Sequence, residues 1–142
     1  MTVLRTCWVI DTNTALDFLV FEDVRAQALL QGLKSGVYCW LVCQPMRDEL
    51  ARVLDYPLIA KRRLQRSLSL ADVLREFDAL SDMREVPAKA MYTCKDPDDQ
   101  VFIDLAVAHN ASLVSKDHAV LAMRGRLKRL GIVVSATPPQ GD

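Results

Sequence analysis

Two nearly unbroken apolar runs constrain the fold of this 142-residue chain more than any other feature. The run from Leu4 to Ile10 ends in Cys-Trp-Val-Ile, and the run from Val37 to Cys43 is apolar throughout. Runs this short are typical of strands that are covered on both faces, as in a parallel sheet. Leucines at helical spacing lie between them, so the segment is predicted to be strand, crossover helix and strand. The sequence therefore predicts an α/β fold with a mainly parallel sheet.

The remainder of the chain continues this alternation of helical and strand patterns. We expect Pro57 to end the third helix, which starts at Pro45, because proline cannot continue a helix. The segment after Pro87 is predicted to be a loop. Further helices are predicted from Thr14 to Phe21, from Ser67 or Ser69 to Leu80, from Asp96 to His109 and around Leu121, and further strands at 83–86, 111–115 and 132–134.

The composition is that of one ordinary domain, with 51% hydrophobic and 25% charged residues. We expect a single domain over residues 1–136 and a flexible tail over residues 137–142. Basic and acidic residues are equal in number, 18 of each, so no overall positive charge indicates a polyanionic partner. The basic run from Lys61 to Arg66 fits either a solvated helix face or contact with a phosphate backbone.

The sequence contains no signal for a membrane or an oxidising compartment. No apolar run approaches the roughly 18 residues of a membrane span, and the N-terminus lacks the pattern of a signal peptide. The four cysteines form no CxxC pair, and the two histidines are not spaced like zinc ligands. Reduced, buried thiols are therefore expected, and the predicted location is the cytoplasm.

Acidic residues follow two of the predicted strands. Asp11 comes directly after the first strand, and Asp117 comes directly after the strand at 111–115. Ligands of open α/β sheets bind beyond the carboxyl ends of such strands. The ordinary alternative is that each acid only caps the helix that follows it.

Two further acids lie on helices that should face the same edge. Glu49 is on the margin of the apolar face of the third helix, where an unpaired carboxylate is costly. Asp99 projects from the inward face of the helix that begins near Asp96, with Asp98 in the same first turn, although acids also favour a helix start for structural reasons. His109 falls on the same inward face, whereas Asp104 falls on the opposite side of that helix and is expected to be solvated.

Carboxylates that converge without a basic residue among them raise one another's pKa values, and a hard divalent cation relieves this repulsion. Oxygen ligands favour Mg²⁺ or Mn²⁺ over zinc, and such sites hydrolyse phosphodiester bonds. The sequence has no GxxxxGK[ST], GxGxxG or GxSxG motif that would indicate other chemistry. The candidate metal ligands and catalytic residues are Asp11, Glu49, Asp99 and Asp117.

In their order along the chain, these motifs resemble the PIN-domain family, and within it the bacterial toxin components of toxin–antitoxin systems. The resemblance implies a three-layer α/β/α fold and a metal-dependent endoribonuclease that is held inactive by a cognate antitoxin. It also implies a homodimer or higher oligomer. The motifs are Ile10-Asp11-Thr12-Asn13, Glu49-Leu50, Asp96-Pro97-Asp98-Asp99 before Leu105-Ala106-Val107-Ala108, and Leu113-Val114-Ser115-Lys116-Asp117.

The resemblance also assigns roles to individual positions. Asp11, Glu49, Asp99 and Asp117 correspond to the family's metal-binding acids. Ser115 occupies a small hydroxyl position that orients a water or a carboxylate. Supporting roles are implied for Thr12, Asn13, Asp96 and Asp98.

Three other functions remain open from the sequence. The chain could be a catalytically weak PIN-like module that binds RNA or protein, although it retains all four acids. It could be an RNA-processing nuclease outside a toxin–antitoxin system, since such enzymes share the same acids. A metal-dependent phosphatase of small phosphate esters would also need acids, but it would need a phosphate cradle, and no glycine-rich loop provides one.

Overall fold

The computed structural model of the protein describes residues 6–140. The start of the predicted first strand, at Leu4, lies outside the described residues. So do residues 141 and 142 of the predicted tail.

The described strands form one five-stranded sheet, and its four pairings are all parallel. The strand order is β3-β2-β1-β4-β5, so the chain winds outward in both directions from β1. The predicted parallel sheet is thereby confirmed, and its switch point lies between the carboxyl ends of β1 and β4. The strands are β1 (Thr6–Ile10), β2 (Tyr38–Val42), β3 (Ser81–Met83), β4 (Ser112–Val114) and β5 (Val134–Ser135).

Helices flank this sheet and complete the predicted α/β/α arrangement. No helix in the part of the chain that the structure describes has the length and apolar character that crossing a membrane requires. The helices are α1 (Thr12–Leu19), α2 (Gln27–Ser35), α3 (Gln44–Val53), α4 (Pro57–Gln65), α5 (Leu70–Leu80), α6 (Gln100–His109), α7 (His118–Leu121) and α8 (Arg124–Lys128), with 3₁₀ turns at Val24–Ala26 and Pro97–Asp99.

A cluster of three aromatic rings fixes two helices on one face of the sheet. Trp40 of β2 is buried and meets Phe18 of α1 edge-on at a centroid distance of 5.4 Å. It meets Phe77 of α5 in the same way at 4.9 Å. Edge-to-face pairs add to the energy of burying the rings, so these contacts hold α1 and α5 against the centre of the sheet.

Two predicted boundaries are wrong. Pro57 does not end the third helix, because α3 has already ended at Val53 and Pro57 opens α4. Proline suits the first turn of a helix, where its missing N–H would have no partner in any case. The third strand is Ser81–Met83 rather than 83–86, because Ser81 pairs in register with Trp40.

The basic run in α4 is largely occupied by contacts within the protein. Arg62 and Arg66 both pair with Glu22, at 3.6 and 2.8 Å. Arg63 is buried and donates to the carbonyl oxygens of Leu54 and Leu68. These arginines attach α4 to neighbouring segments, so the run is more than a solvated helix face.

Candidate active site

Asp11 joins the carboxyl ends of the two central strands. Its backbone N–H donates to the carbonyl of Val114 at 3.0 Å. Its Oδ1 accepts from the Thr14 N–H, which caps α1, and its Oδ2 accepts from Ser115 Oγ and the Lys116 N–H. The Asp11 side chain is therefore held by donors from both sides of the switch point, and the residue is only 4% exposed.

Ser115 connects Asp11 to the second strand-end acid. Its fully buried Oγ donates to Asp11 Oδ2 at 2.8 Å and accepts from the Asp117 N–H at 3.0 Å. Asp117 in turn accepts from the Ala119 N–H and caps α7. One hydroxyl group thus fixes the position of Asp117 relative to Asp11.

Asp117 lies in a cluster with two acids from the loop before α6. One carboxylate oxygen from each of Asp96, Asp99 and Asp117 lies within 4.8 Å of the other two. Asp96 also accepts from the Asp98 N–H and so caps the 3₁₀ turn. The Asp99 side chain caps nothing, and its buried Oδ2 receives no donor from any residue that the structure describes. Helix capping therefore explains the positions of Asp96 and Asp117 but not that of Asp99.

The surroundings of Asp99 raise the pKa of its carboxyl group to about 7. Burial is the largest cause, because it removes the water that would stabilise the charged form. The negative charges of Asp117, Asp96 and Glu49 add to it, and protonated Asp99 can hydrogen-bond to Asp117. Glu49, which is distant in sequence, therefore faces the same cluster.

Glu49 approaches from the other side of a cleft of about 500 Å³. Asp98 and Asp99 line the facing wall, and Arg52 and Tyr56 lie on the same wall as Glu49. The neighbouring Asp48 is exposed and accepts from Gln44 across one helical turn, as expected for the outer side of α3.

The donor set of this cleft fits a hard divalent cation. Within residues 6–140, none of the ion pairs involves an acid of the cleft or of the strand ends. The buried Asp99 Oδ2 without a donor and the raised pKa of Asp99 are what a missing positive charge would produce. All the available ligands are carboxylate oxygens, which Mg²⁺ and Mn²⁺ favour.

The structure places the remaining sequence-derived candidates at the edge of this arrangement. Asp11 lies outside the 4.8 Å cluster and is connected to it through Ser115. Thr12 is half-buried and Asn13 is exposed. Among the described residues, neither side chain hydrogen-bonds to the Asp11 carboxylate. The orientation of Asp11 therefore comes from Thr14, Ser115 and Lys116.

Two expectations for α6 are wrong. Asp104 was expected to be solvated but is only 8% exposed, and it accepts from the Ala90 N–H and from Gln100 Nε2, both at 2.8 Å. Gln100 also bonds the backbone of Tyr92 and Cys94, so Asp104 helps to hold the loop that covers this side of α6. His109, at the C-terminal end of α6, is exposed rather than inward.

Sequence reasoning also missed Arg52 and Tyr56, which line the cleft. Their spacing from Glu49, three and seven residues, is the one signal that could have indicated a shared helical face.

Comparison with known protein families matches residues 8–119 to the PIN domain. The chain belongs to the PIN-domain family. PIN domains are generally nucleases that use divalent metal ions. No curated protein sequence matches the chain.

Among solved structures, the chain is similar to the crystal structure of VapBC2 from Rickettsia felis bound to a DNA fragment from their promoter. The TM-score is 0.62 at 14% sequence identity, and the alignment covers 94% of this chain and 100% of the other. At this identity the similarity shows the PIN fold alone.

Replacing Ser115 with alanine should destabilise this PIN domain by about 1–3 kcal/mol, because the half-buried Asp117 N–H loses its acceptor and the buried Asp11 carboxylate loses a donor. Urea unfolding followed by circular dichroism measures the effect. Ser112→Ala, at the start of β4 and three residues before Ser115, is the matched control and should change the stability by less than about 0.5 kcal/mol. Equal losses in the two variants would show that the Ser115 bridge is energetically unimportant.

The raised pKa of Asp99 should make the metal-free protein less stable as the pH rises. Well below the ordinary aspartate pKa of 3.8, Asp99 is protonated in both the folded and the unfolded chain and does not change the stability. Between there and about pH 7 the folded protein keeps a proton that the unfolded chain releases, so stability falls with pH and the full cost is reached above pH 7.

Asp99→Asn should remove this dependence. In EDTA, its stability relative to the parent should rise by about 2 kcal/mol between pH 5 and pH 8, allowing for partial exposure. Urea unfolding at intervals of half a pH unit measures the trend, with Asp98→Asn as the control for loss of one carboxylate. The same trend in both variants would contradict a special environment at Asp99.

Proposed function

We propose that this protein is a metal-dependent endoribonuclease that hydrolyses RNA phosphodiester bonds with Mg²⁺ or Mn²⁺ as cofactor. The observation that carries the proposal is the Asp99 carboxylate, which lies within 4.8 Å of Asp96 and Asp117 and has a buried oxygen without a donor among residues 6–140. An acid in this position destabilises the fold unless a cation is bound. Membership of a nuclease family supports phosphodiester hydrolysis as the use of that cation.

The proposed ligands are Asp99 and Asp117 together with Glu49 from the opposite wall and Asp11 behind Ser115. Asp96 joins them, because its carboxylate belongs to the same cluster. When bound, a divalent cation supplies the acidity that activates a water and the positive charge that offsets the phosphate. Ser115 acts as a positioning residue, since it contacts Asp11 and Asp117 rather than the cleft.

The reaction adds water across the phosphodiester bond. The water oxygen forms a bond to phosphorus, the bond to one ribose oxygen breaks, and that oxygen leaves with a proton. The cleft has a volume of about 500 Å³ and is lined by exposed residues such as Arg52, Tyr56 and Asp98, so it is accessible from the surface. This arrangement supports cleavage within a chain rather than action on a small enclosed phosphate ester.

Cleavage of labelled RNA should require Mn²⁺ or Mg²⁺ and should stop in EDTA. Glu49→Gln and Asp99→Asn should each lower the rate about 100-fold or more, since the ligated cation contributes several kcal/mol to the transition state. Asp48→Asn is the matched control for Glu49, because it lies on the same helix and faces away from the cleft. Its rate should equal that of the parent.

Each other outcome of this assay has a defined meaning. Cleavage that survives in both Glu49→Gln and Asp99→Asn would place the activity elsewhere and contradict the proposal. Intact RNA that nevertheless binds the parent would support the alternative of a PIN-like module without catalysis.

We further propose that the enzyme is the toxin of a toxin–antitoxin pair and that a cognate antitoxin protein is its partner. The PIN-domain match and the similarity in fold to VapBC2, a toxin–antitoxin complex, support this role. An RNA-processing enzyme with the same acids is the competing interpretation.

Induced expression of the parent in a bacterial host should stop growth, whereas Asp99→Asn should permit it. Asp48→Asn should stop growth like the parent. Co-expression of a small reading frame adjacent to the gene should restore growth. Normal growth with active, soluble parent protein would favour RNA processing over a toxin role.

A further inference from the structure

The C-terminal half of α3 and the residues that follow it present a cation and an aromatic ring to the acidic cleft. Glu49, Arg52 and Tyr56 are separated by three and four residues, the spacing of neighbours on one helical face, although Tyr56 itself lies just beyond α3 and precedes α4. All three line the same cleft. The proposed metal ligand Glu49 is thus followed along the cleft by a guanidinium group and then by a phenol ring.

Arg52 differs from nearly all other arginines of the described chain in having no partner. The others hydrogen-bond or pair within the protein, with the exception of Arg129. Arg52 makes no such contact although Glu49 and the Asp98 and Asp99 carboxylates line the same cleft. Its exposed guanidinium group is therefore available to an external anion, and its planar geometry suits a phosphate.

Tyr56 forms a ridge between this cleft and a second cavity. Tyr56 lines the acidic cleft, and it also lines an apolar pocket of about 540 Å³ together with Phe21, Leu58 and Lys116. Tyr56 is 55% exposed. An exposed aromatic ring beside a cation is the combination that holds an unstacked base and its phosphate in single-stranded RNA.

We propose that Arg52 and Tyr56 bind the nucleotide next to the cleaved linkage, Arg52 through the phosphate and Tyr56 by stacking on the base. The substrate is then an unpaired RNA strand, because the bases of a duplex are stacked on one another and cannot reach the ring. This inference rests on the proposed nuclease function. The neighbouring cation favours a nucleotide over an apolar peptide, which would leave Arg52 without a partner.

RNA binding can be measured without cleavage in the Asp99→Asn background. Fluorescence anisotropy measures the Kd of a labelled single-stranded RNA. A further Arg52→Ala or Tyr56→Ala substitution in the Asp99→Asn protein should raise this Kd about tenfold. Arg52→Lys should recover part of the affinity, and Tyr56→Phe should recover all of it. Arg129→Ala is the matched control, since it removes one unpaired, exposed arginine elsewhere on the protein.

Two readouts separate contact with RNA from a structural effect. The dependence of log Kd on log salt should become shallower by about 0.7 in Arg52→Ala, the value for one phosphate contact on a single strand. An RNA with one abasic position next to the cleavage site should bind the protein with Tyr56 about tenfold more weakly than intact RNA does. Tyr56→Ala should bind the abasic and the intact RNA with equal affinity.

The cleavage assay then distinguishes the two proposals. With Asp99 intact, Arg52→Ala and Tyr56→Ala should raise KM about tenfold with little change in kcat. If the parent cleaves RNA but both variants behave like Arg129→Ala, this inference fails and the nuclease function stands. If the parent does not cleave RNA, the proposed function fails. Unchanged RNA affinity with loss of binding to a protein partner would assign the Tyr56 ridge to that partner and overturn the inference.

Discussion

The hydrogen bonds of the Asp11 carboxylate are the constraint on which the site depends. They join the end of β1 to the segment after β4, and through Ser115 they extend to Asp117. Because Ser115 and Asp11 are both buried, water has little access to the bond between their side chains. The parallel pairing of β1 and β4 brings both strand ends to one edge, and the Asp11 bonds fix the spacing of the side chains there.

Three of the crowded carboxylates also cap a helix or a turn. Asp11, Asp96 and Asp117 each cap a helix or turn with one oxygen, which offsets part of the cost of placing negative charge here. Asp99 has no such compensation, and burial together with its neighbours raises the pKa of its carboxyl group to about 7. Local instability of this kind is expected where a side chain is retained for function rather than for folding.

The placement of the arginines is compatible with the proposed binding of RNA by a chain with no net charge. The basic run of α4 is used internally, by pairing with Glu22 and by bonding backbone carbonyls. Arg52 lies beside the carboxylates, and no residue that the structure describes pairs with it. The electrostatic attraction proposed for RNA is therefore local, and in this proposal it comes from Arg52 and the cation rather than from an overall positive surface.

The sequence alone was enough to predict two kinds of feature correctly, because both depend on interactions within a few residues. These are the apolar strands β1 and β2 and the helix or turn caps at Asp11 and Asp96. The same reasoning misplaced Asp104, which is buried because the loop at Ala90 packs on it after folding. It also misplaced Pro57, because proline is compatible with the start of a helix as well as with its end. It also could not identify the shared cluster of Asp96 with Asp117, or the unpaired state of Arg52. The burial of a side chain and the residues that it pairs with depend on segments that are far apart in the chain. Only the packing of helices and loops against the sheet brings those segments into contact.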